Sequence, residues 1–274
     1  MFERDTTVHH TGESAGGKEF AARVSPDWKA GRGPNGGYLA AMLLRAMMGA
    51  VEDDSRAPRS LTIHYLRAPE PGPIAITVKV ERQGRSLSSL SAQMRQERGT
   101  TALALAAFSV PWSGPEVTEL PLPDVAPADP AQGSGVMRNF DGPEFLRNLV
   151  LQPRLGGAPF AGPEQPMEFG AWIGMREARA LDAPALAFFS DALIPAPFMQ
   201  LPAPAPAPTV DLTIHFRTAL PRSAAGDLHE LCFARVRAGA MQEGFFEEDS
   251  TIWAADGTLL AQSRQLAILM PGGA

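Results

Sequence analysis

The pentapeptide "LTIHY" at residues 61–65 returns as "LTIHF" at residues 212–216, 212 − 61 = 151 positions later. An echo at that separation constrains the fold more than any composition value, because two half-length units that share a strand are expected to share an architecture. The neighbourhoods support duplication. Ahead of the first copy, "NGGYLAAMLLRAMMGAV" is apolar on nearly every side from Tyr38 to Met48, the pattern of a helix buried all round, and Asn35 is placed to cap it. After it, "AITVKVERQGRSLSSLSAQMRQERGTTALALAAFSV" reads as an antiparallel meander turning at Gln83-Gly84 and Arg98-Gly99.

The second half repeats the order. "APALAFFSDALIPA" from Ala183 is a second apolar helical stretch, "VDLTIHFRTAL" and "LHELCFARVRAGA" read as strands, and the last segment as a hairpin turning at Asp256-Gly257. Adding 151 to Gly37 gives Phe188, so the two helices are expected in register with the two strands. A Pro/Gly-rich stretch from Pro111 to Gly135 and a mixed segment to Gln165 separate the copies. The division expected is 1–112 for the first repeat, 113–165 for the connection and 166–274 for the second repeat. The fold class is α+β, each repeat a central helix wrapped by an antiparallel sheet.

Composition excludes several functions. The 274 residues are 45% hydrophobic and 20% charged, with no apolar run long enough to span a bilayer. The N-terminal segment lacks the regions of a secretory signal, and the single cysteine, Cys232, forms neither an internal disulfide nor a thiolate cluster. These features point to a cytoplasmic protein, with Cys232 a small core residue. A net charge of −6 without a Lys/Arg block argues against nucleic acid as partner. Residues 31–36 satisfy G-x-G-x-x-G, but "SPDWKA" stands where the buried strand of a dinucleotide fold must be, and Pro34 sits inside the motif.

A buried helix followed by antiparallel strands is the hot-dog architecture, here doubled. "FAARVSPDWKAGRGPNGGYLAAMLLRAM", "SLTIHYLRAPEPG", "ERQGRSLSSLSAQM" and above all the terminal "ADGTLLAQSRQ" resemble the acyl-CoA thioesterase II family and its thioesterase-like relatives, over both halves of the chain. The resemblance implies hydrolysis of acyl-CoA thioesters by a water that an Asp, a Gln and a Thr orient together. Carried onto this chain, the Asp falls on Asp211 and the Gln on Gln265. The Thr position falls on Gly239 or Ala240, which carry no hydroxyl, and Thr213 is the substitute two residues after Asp211.

The residues support such chemistry on their own terms. Alternation along the strand puts Asp211, Thr213 and His215 on one face and Leu212, Ile214 and Phe216 on the other. A carboxylate beside a thioester can serve as general base, and an amide such as Gln265 offers both donor and acceptor. Gly36 and Gly37, with Asn35, open the central helix and are expected to supply oxyanion-stabilising N–H groups. Asp191 is an odd acid for an apolar helix and is a candidate for substrate contact. Each has a plainer alternative: Asp211 as a strand start, Gln265 as a capping amide, Asp191 bonded to a backbone N–H, His64 and His215 as matched strand histidines. Glu247, Glu248 and Asp249 read as a charged strand edge.

Three functions follow from this reading: acyl-CoA hydrolysis without a cofactor or metal, a non-hydrolytic acyl-group binding protein, and a hydratase or dehydratase. The last lacks the expected His in the helix-opening loop. Two fused repeats form an internal pseudo-dimer, and exposed strand edges leave room for a homo-oligomer, a dimer or tetramer.

Overall fold

The computed structural model describes residues 1–129, 142–221 and 230–270. The first half contains α1 (Phe2–Thr6), β1 (His9–Ser14), β2 (Gly17–Val24), the small hairpin β3 (Lys29–Ala30) and β4 (Gly33–Pro34), α2 (Gly36–Val51), β5 (Ala57–Tyr65), β6 (Gly72–Gln83), β7 (Leu87–Gln96) and β8 (Gly99–Ser109). The second half contains β9 (Leu149–Leu155), β10 (Glu168–Met175), α3 (Ala183–Phe189), β11 (Thr209–Phe216), β12 (Cys232–Arg237), β13 (Met241–Gln242), β14 (Phe245–Trp253) and β15 (Leu259–Ile268).

Apart from the separate β3-β4 hairpin, the strands form one antiparallel sheet in the order β1-β2-β6-β7-β8-β5-β11-β15-β14-β12-β10-β9, with β13 paired to β14. Each half of that order matches the other read from the opposite edge. The architecture is therefore a double hot-dog, and the echoed pentapeptides form its seam. β5 and β11 pair antiparallel with Thr62 directly opposite Thr213, two residues 213 − 62 = 151 apart, and their hydroxyls lie 3.1 Å from each other. A pseudo-twofold axis passes between them. Equivalent residues that must face each other across a common axis share one environment, which explains the shared letters.

The helix α2 forms because Asn35 accepts a hydrogen bond from Tyr38 N at 3.0 Å and because Glu52, in a left-handed conformation at φ 52°, stops it. Its buried residues run without a break from Gly37 to Leu44, as expected for a helix with sheet on one side and a second helix on the other. The second helix departs from the expectation. α3 is only seven residues long, Asp182 caps it, and the two caps are 182 − 35 = 147 residues apart, four fewer than the strands. Its end tightens into three-residue turns, Asp191 N to Phe188 O and Ala192 N to Phe189 O, so Asp191 sits just beyond the helix instead of inside it.

The connection also differs from a bare linker. β9 falls inside the 113–165 stretch and pairs with β10, so the second half of the sheet begins at Leu149. It is an edge strand, where Pro153 costs no ladder hydrogen bond. Upstream, residues 111–129 run along the outer face of the second half. Trp253 Nε1 donates to Leu120 O at 2.8 Å and Trp172 Nε1 donates to Ala126 O at 2.9 Å. Leu122, Val125 and Ala128 cover the cluster of Trp172, Phe233 and Trp253.

Candidate active site

The site depends on a break in strand alternation. Between β11 and β15, Thr209 faces Ala267 and Asp211 faces Leu266, which leaves Val210 as an extra residue in a β-bulge. Strict alternation would put Thr209 on the same face as Asp211 and Thr213. The bulge turns it to the inner face instead, where its Oγ1 donates to Gln265 Oε1 at 2.9 Å. A matching bulge occurs in β5, where the extra residue is Arg59, and 210 − 59 = 151. The device belongs to the duplicated unit.

Gln265, on β15 and only 6% exposed, is held at both ends of its amide. Its Oε1 accepts from Thr209, and its Nε2 donates to Glu248 Oε1 at 2.9 Å. Glu248, on β14 and 3% exposed, accepts from Ala196 N through its other oxygen at 2.6 Å. The third group is Asp191. Its Oδ2 accepts from Gly37 N at 3.0 Å and from Asn35 Nδ2 at 3.3 Å, while its backbone oxygen accepts from the same Asn35 amide at 2.7 Å. The carboxylate thus stands at the positive end of α2, which favours its ionised form. Tyr65 Oη closes that side by donating to Gly36 O at 2.8 Å.

Two glycines make this approach feasible. A Cβ on Gly36 would lie 2.8 Å from Asp191 Oδ2, and one on Gly37 would lie 2.4 Å from the Phe188 carbonyl oxygen. The carboxylate and the neighbouring helix occupy the space a side chain would need.

Burial decides the protonation of both acids. Desolvation raises Asp191 to about 6 against the opposing hydrogen bonds from the Gly37 and Gly36 backbone, so it is largely ionised at neutral pH yet still basic enough to take a proton. Desolvation raises Glu248 to about 8, with the nearby charges of Asp191 and Asp249 adding to the effect. Burial and the field of Asp191 push the Tyr65 phenol well above its usual range, so it stays a neutral donor. Two acids with separated proton affinities and one shared amide between them form a site suited to moving a proton.

Of the residues singled out from the sequence, the structure brings Asn35, Gly36, Gly37, Asp191 and Gln265 together. Asp211 and Thr213 stay apart from them. Asp211 pairs across the seam with the exposed His64, and Thr213 bonds to Thr62, both on the outer face. Asp211 and Thr213 do share a face with His215, and it is the face away from α2. The roles expected of the two glycines also change: the Gly37 N–H points at Asp191 instead of an open oxyanion position. Gly239 and Ala240 lie in an exposed loop, and the hydroxyl beside Gln265 comes from Thr209. Glu248 was missed because of its charged neighbours, although period-two reading from Phe246 to Ile252 aims it inward. Cys232 is buried, and that burial raises its thiol pKa.

Comparison with known proteins identifies the family and the fold. Residues 24–109 match the acyl-CoA thioesterase N-terminal domain and residues 119–269 match the acyl-CoA thioesterase C-terminal domain. The chain belongs to the acyl-CoA thioesterase family. Among solved structures, a hot-dog protein of unknown function from Alicyclobacillus acidocaldarius superposes with a TM-score of 0.84 at 24% identity, covering 99% of this chain and 98% of its own. An acyl-CoA thioesterase II from Mycobacterium marinum superposes with a TM-score of 0.74 at 17% identity, over the full length of both chains. These two show a common fold. An uncharacterized protein of Mycobacterium tuberculosis is 26% identical over 272 residues, covering 91% of this chain and 90% of its own. Among the described residues, no helix is long and apolar enough to cross a membrane.

Proposed function

We propose that this thioesterase-family protein hydrolyses acyl-CoA thioesters with Asp191, Gln265 and Thr209 as the groups that hold and activate water. The supporting observation is the convergence of a carboxylate, an amide and a hydroxyl at the start of α2, on the inner face of the sheet. Asp191 takes a proton from the water as its oxygen attacks the thioester carbonyl carbon. Gln265 Oε1 accepts the water's second proton as a hydrogen bond, and Thr209 fixes that oxygen's position. Collapse of the tetrahedral intermediate breaks the carbon–sulfur bond, and the proton held by Asp191 passes to the leaving sulfur. The products are a free acid and coenzyme A, with no cofactor required. The cytoplasm, where acyl-CoA is made and used, is the location this role implies.

The test is thiol release from short, medium and long acyl-CoA substrates. Asp191→Ala is expected to lower kcat on the order of 10³-fold, while Asp211→Ala stays within about twofold of the parent, as for surface changes away from the chemistry. Because the base must be ionised, kcat/KM rises as pH passes through about 6. Loss of turnover in Asp211→Ala with full activity in Asp191→Ala would sink the assignment. Saturable acyl-CoA binding with no turnover at any chain length would make this a binding protein.

A further inference from the structure

Glu248 is not needed for the water-activating set just described, yet it is more deeply buried than any member of it, and each of its oxygens is occupied. One accepts from the Ala196 backbone N–H at 2.6 Å and the other from Gln265 Nε2 at 2.9 Å. An isolated Gln amide has two orientations of similar shape that exchange oxygen for NH2. Here the choice matters, because only one orientation presents Oε1 toward Thr209 and Asp191. The opposite orientation would set Gln265 Oε1 against a Glu248 oxygen and leave the Nε2 facing the Thr209 hydroxyl.

We propose that Glu248 is a positioning residue that locks the Gln265 amide in the orientation needed to hold the attacking water. The proposal rests on the reading of Gln265 as a water-holding group, and three observations carry it. First, Glu248 is itself fixed: the Ala196 N–H anchors it from the turn that follows α3, so its position does not depend on Gln265 alone. Second, the pair is directly cross-strand, Glu248 on β14 opposite Gln265 on β15, so neither side chain has to reach. Third, the duplicated unit does without it. In the first half, the residues at the equivalent places of the β7·β8 pair are Leu90 and Ala106, also buried. The fold therefore has no general need for a buried acid–amide pair at this point in the sheet. The charges whose fields reach Glu248 are those of Asp191 and Asp249, both acidic, and they favour its neutral form. The neutral form has an O–H that can also donate to Gln265 Oε1, so the lock tightens as Glu248 ionises and both of its oxygens can only accept.

The experiment compares Glu248→Gln, Glu248→Leu, Gln265→Ala and the double variant Glu248→Leu/Gln265→Ala. Glu248→Leu installs the residue of the first half and keeps the volume, so it separates positioning from folding. The expected result for Glu248→Leu is a fall in kcat of about tenfold to a hundredfold with KM within about twofold, a cooperative unfolding transition that shows the fold is kept, and no additional loss of kcat when it is combined with Gln265→Ala. Glu248→Gln, whose amide can either donate to or accept from Gln265, is expected to lower kcat as Glu248→Leu does and to lose any alkaline gain in the pH–rate profile. Independently of turnover, the side-chain NH2 resonances of Gln265 should be slow to exchange with solvent in the parent and fast in Glu248→Leu. Additive losses in the double variant, or Gln265 resonances indifferent to Glu248→Leu, overturn the proposal. Should the parent show no thioesterase activity, the function assigned above fails while the resonances still decide whether Glu248 holds the amide.

Discussion

The two halves of the sheet share a topology, a bulge and a seam, but only one of them carries a polar interior at the site. Gln265, Glu248 and Thr209 of the second half correspond, by their cross-strand partners, to Ala106, Leu90 and Pro58 of the first. Asp191 stands nine residues beyond its helix cap Asp182, and the residue nine beyond Asn35 is Leu44, fully buried. The site is thus built once, with its carboxylate and amide from the second half and its helix terminus from the first. Burying polar groups costs stability unless each is paired. A duplication that keeps them in one copy and has Leu, Ala and Pro in the other shows that the fold itself does not need them. The outer faces differ as well. Residues 111–129 cover the second half, whereas the first leaves an open groove of about 530 Å³ bordered by Thr62, His64, Lys79, Leu103 and Leu105.

The comparison can be broken most forcefully by making the halves alike. Leu90→Glu would bury a carboxylate in the first half without the Ala196 N–H and Gln265 amide that hold Glu248. It should cost on the order of 3–5 kcal/mol in denaturant unfolding, and a cost near zero would show that the apolar half tolerates a site after all. Next comes proton linkage. The folded-state pKa of Glu248, about 8, lies above the ordinary 4.5, so the folded protein binds this proton more tightly than the unfolded chain. That stability is complete below about pH 4.5 and declines as pH rises toward 8. Glu248→Gln removes the decline, so its melting temperature should gain on the parent's by several degrees between pH 5 and pH 9; parallel melting curves would place the group in water.

A smaller effect probes the contact between the halves. Gly37→Ala drives a methyl into the Phe188 carbonyl and should destabilise by about 2–3 kcal/mol, read as a lower unfolding midpoint, along with a loss of turnover as Asp191 shifts. The smallest is on the outer face. Leu122→Ala thins the cover over Trp172, Phe233 and Trp253 and should cost about 1 kcal/mol, with little change in kcat. A large loss of activity there would tie the covering segment to the site.

Much of the fold was legible because its signals are local and repeated. Two equal pentapeptides, a helix apolar on all faces after a cap at Asn35, and period-two strands between glycine turns define a duplicated helix-and-sheet unit with little ambiguity. Gly36, Gly37 and Asn35 stood out for the same reason, since a helix start has its own residue grammar. Glu248 was within reach too, given that Phe246 and Ile252 fix the inward parity of its strand. Asp211 shows where that style of reading fails. Its parity was right, but parity tells which residues share a face and not which face meets the helices.

The sequence by itself determined the duplication, the double hot-dog architecture and the membership of Gln265, Asp191 and the glycine pair in a set of unusual residues. Only the tertiary structure decided which of them meet. Thr209 reaches Gln265 because one extra residue at Val210 reverses the strand's faces, and Asp191 reaches Gly37 because α3 ends in a tight turn against the other repeat's helix. Both are effects of a single residue on long-range geometry. A bulge leaves no mark in a local pattern until its partner strand is known, and a contact across 154 positions is set by packing that no local window contains.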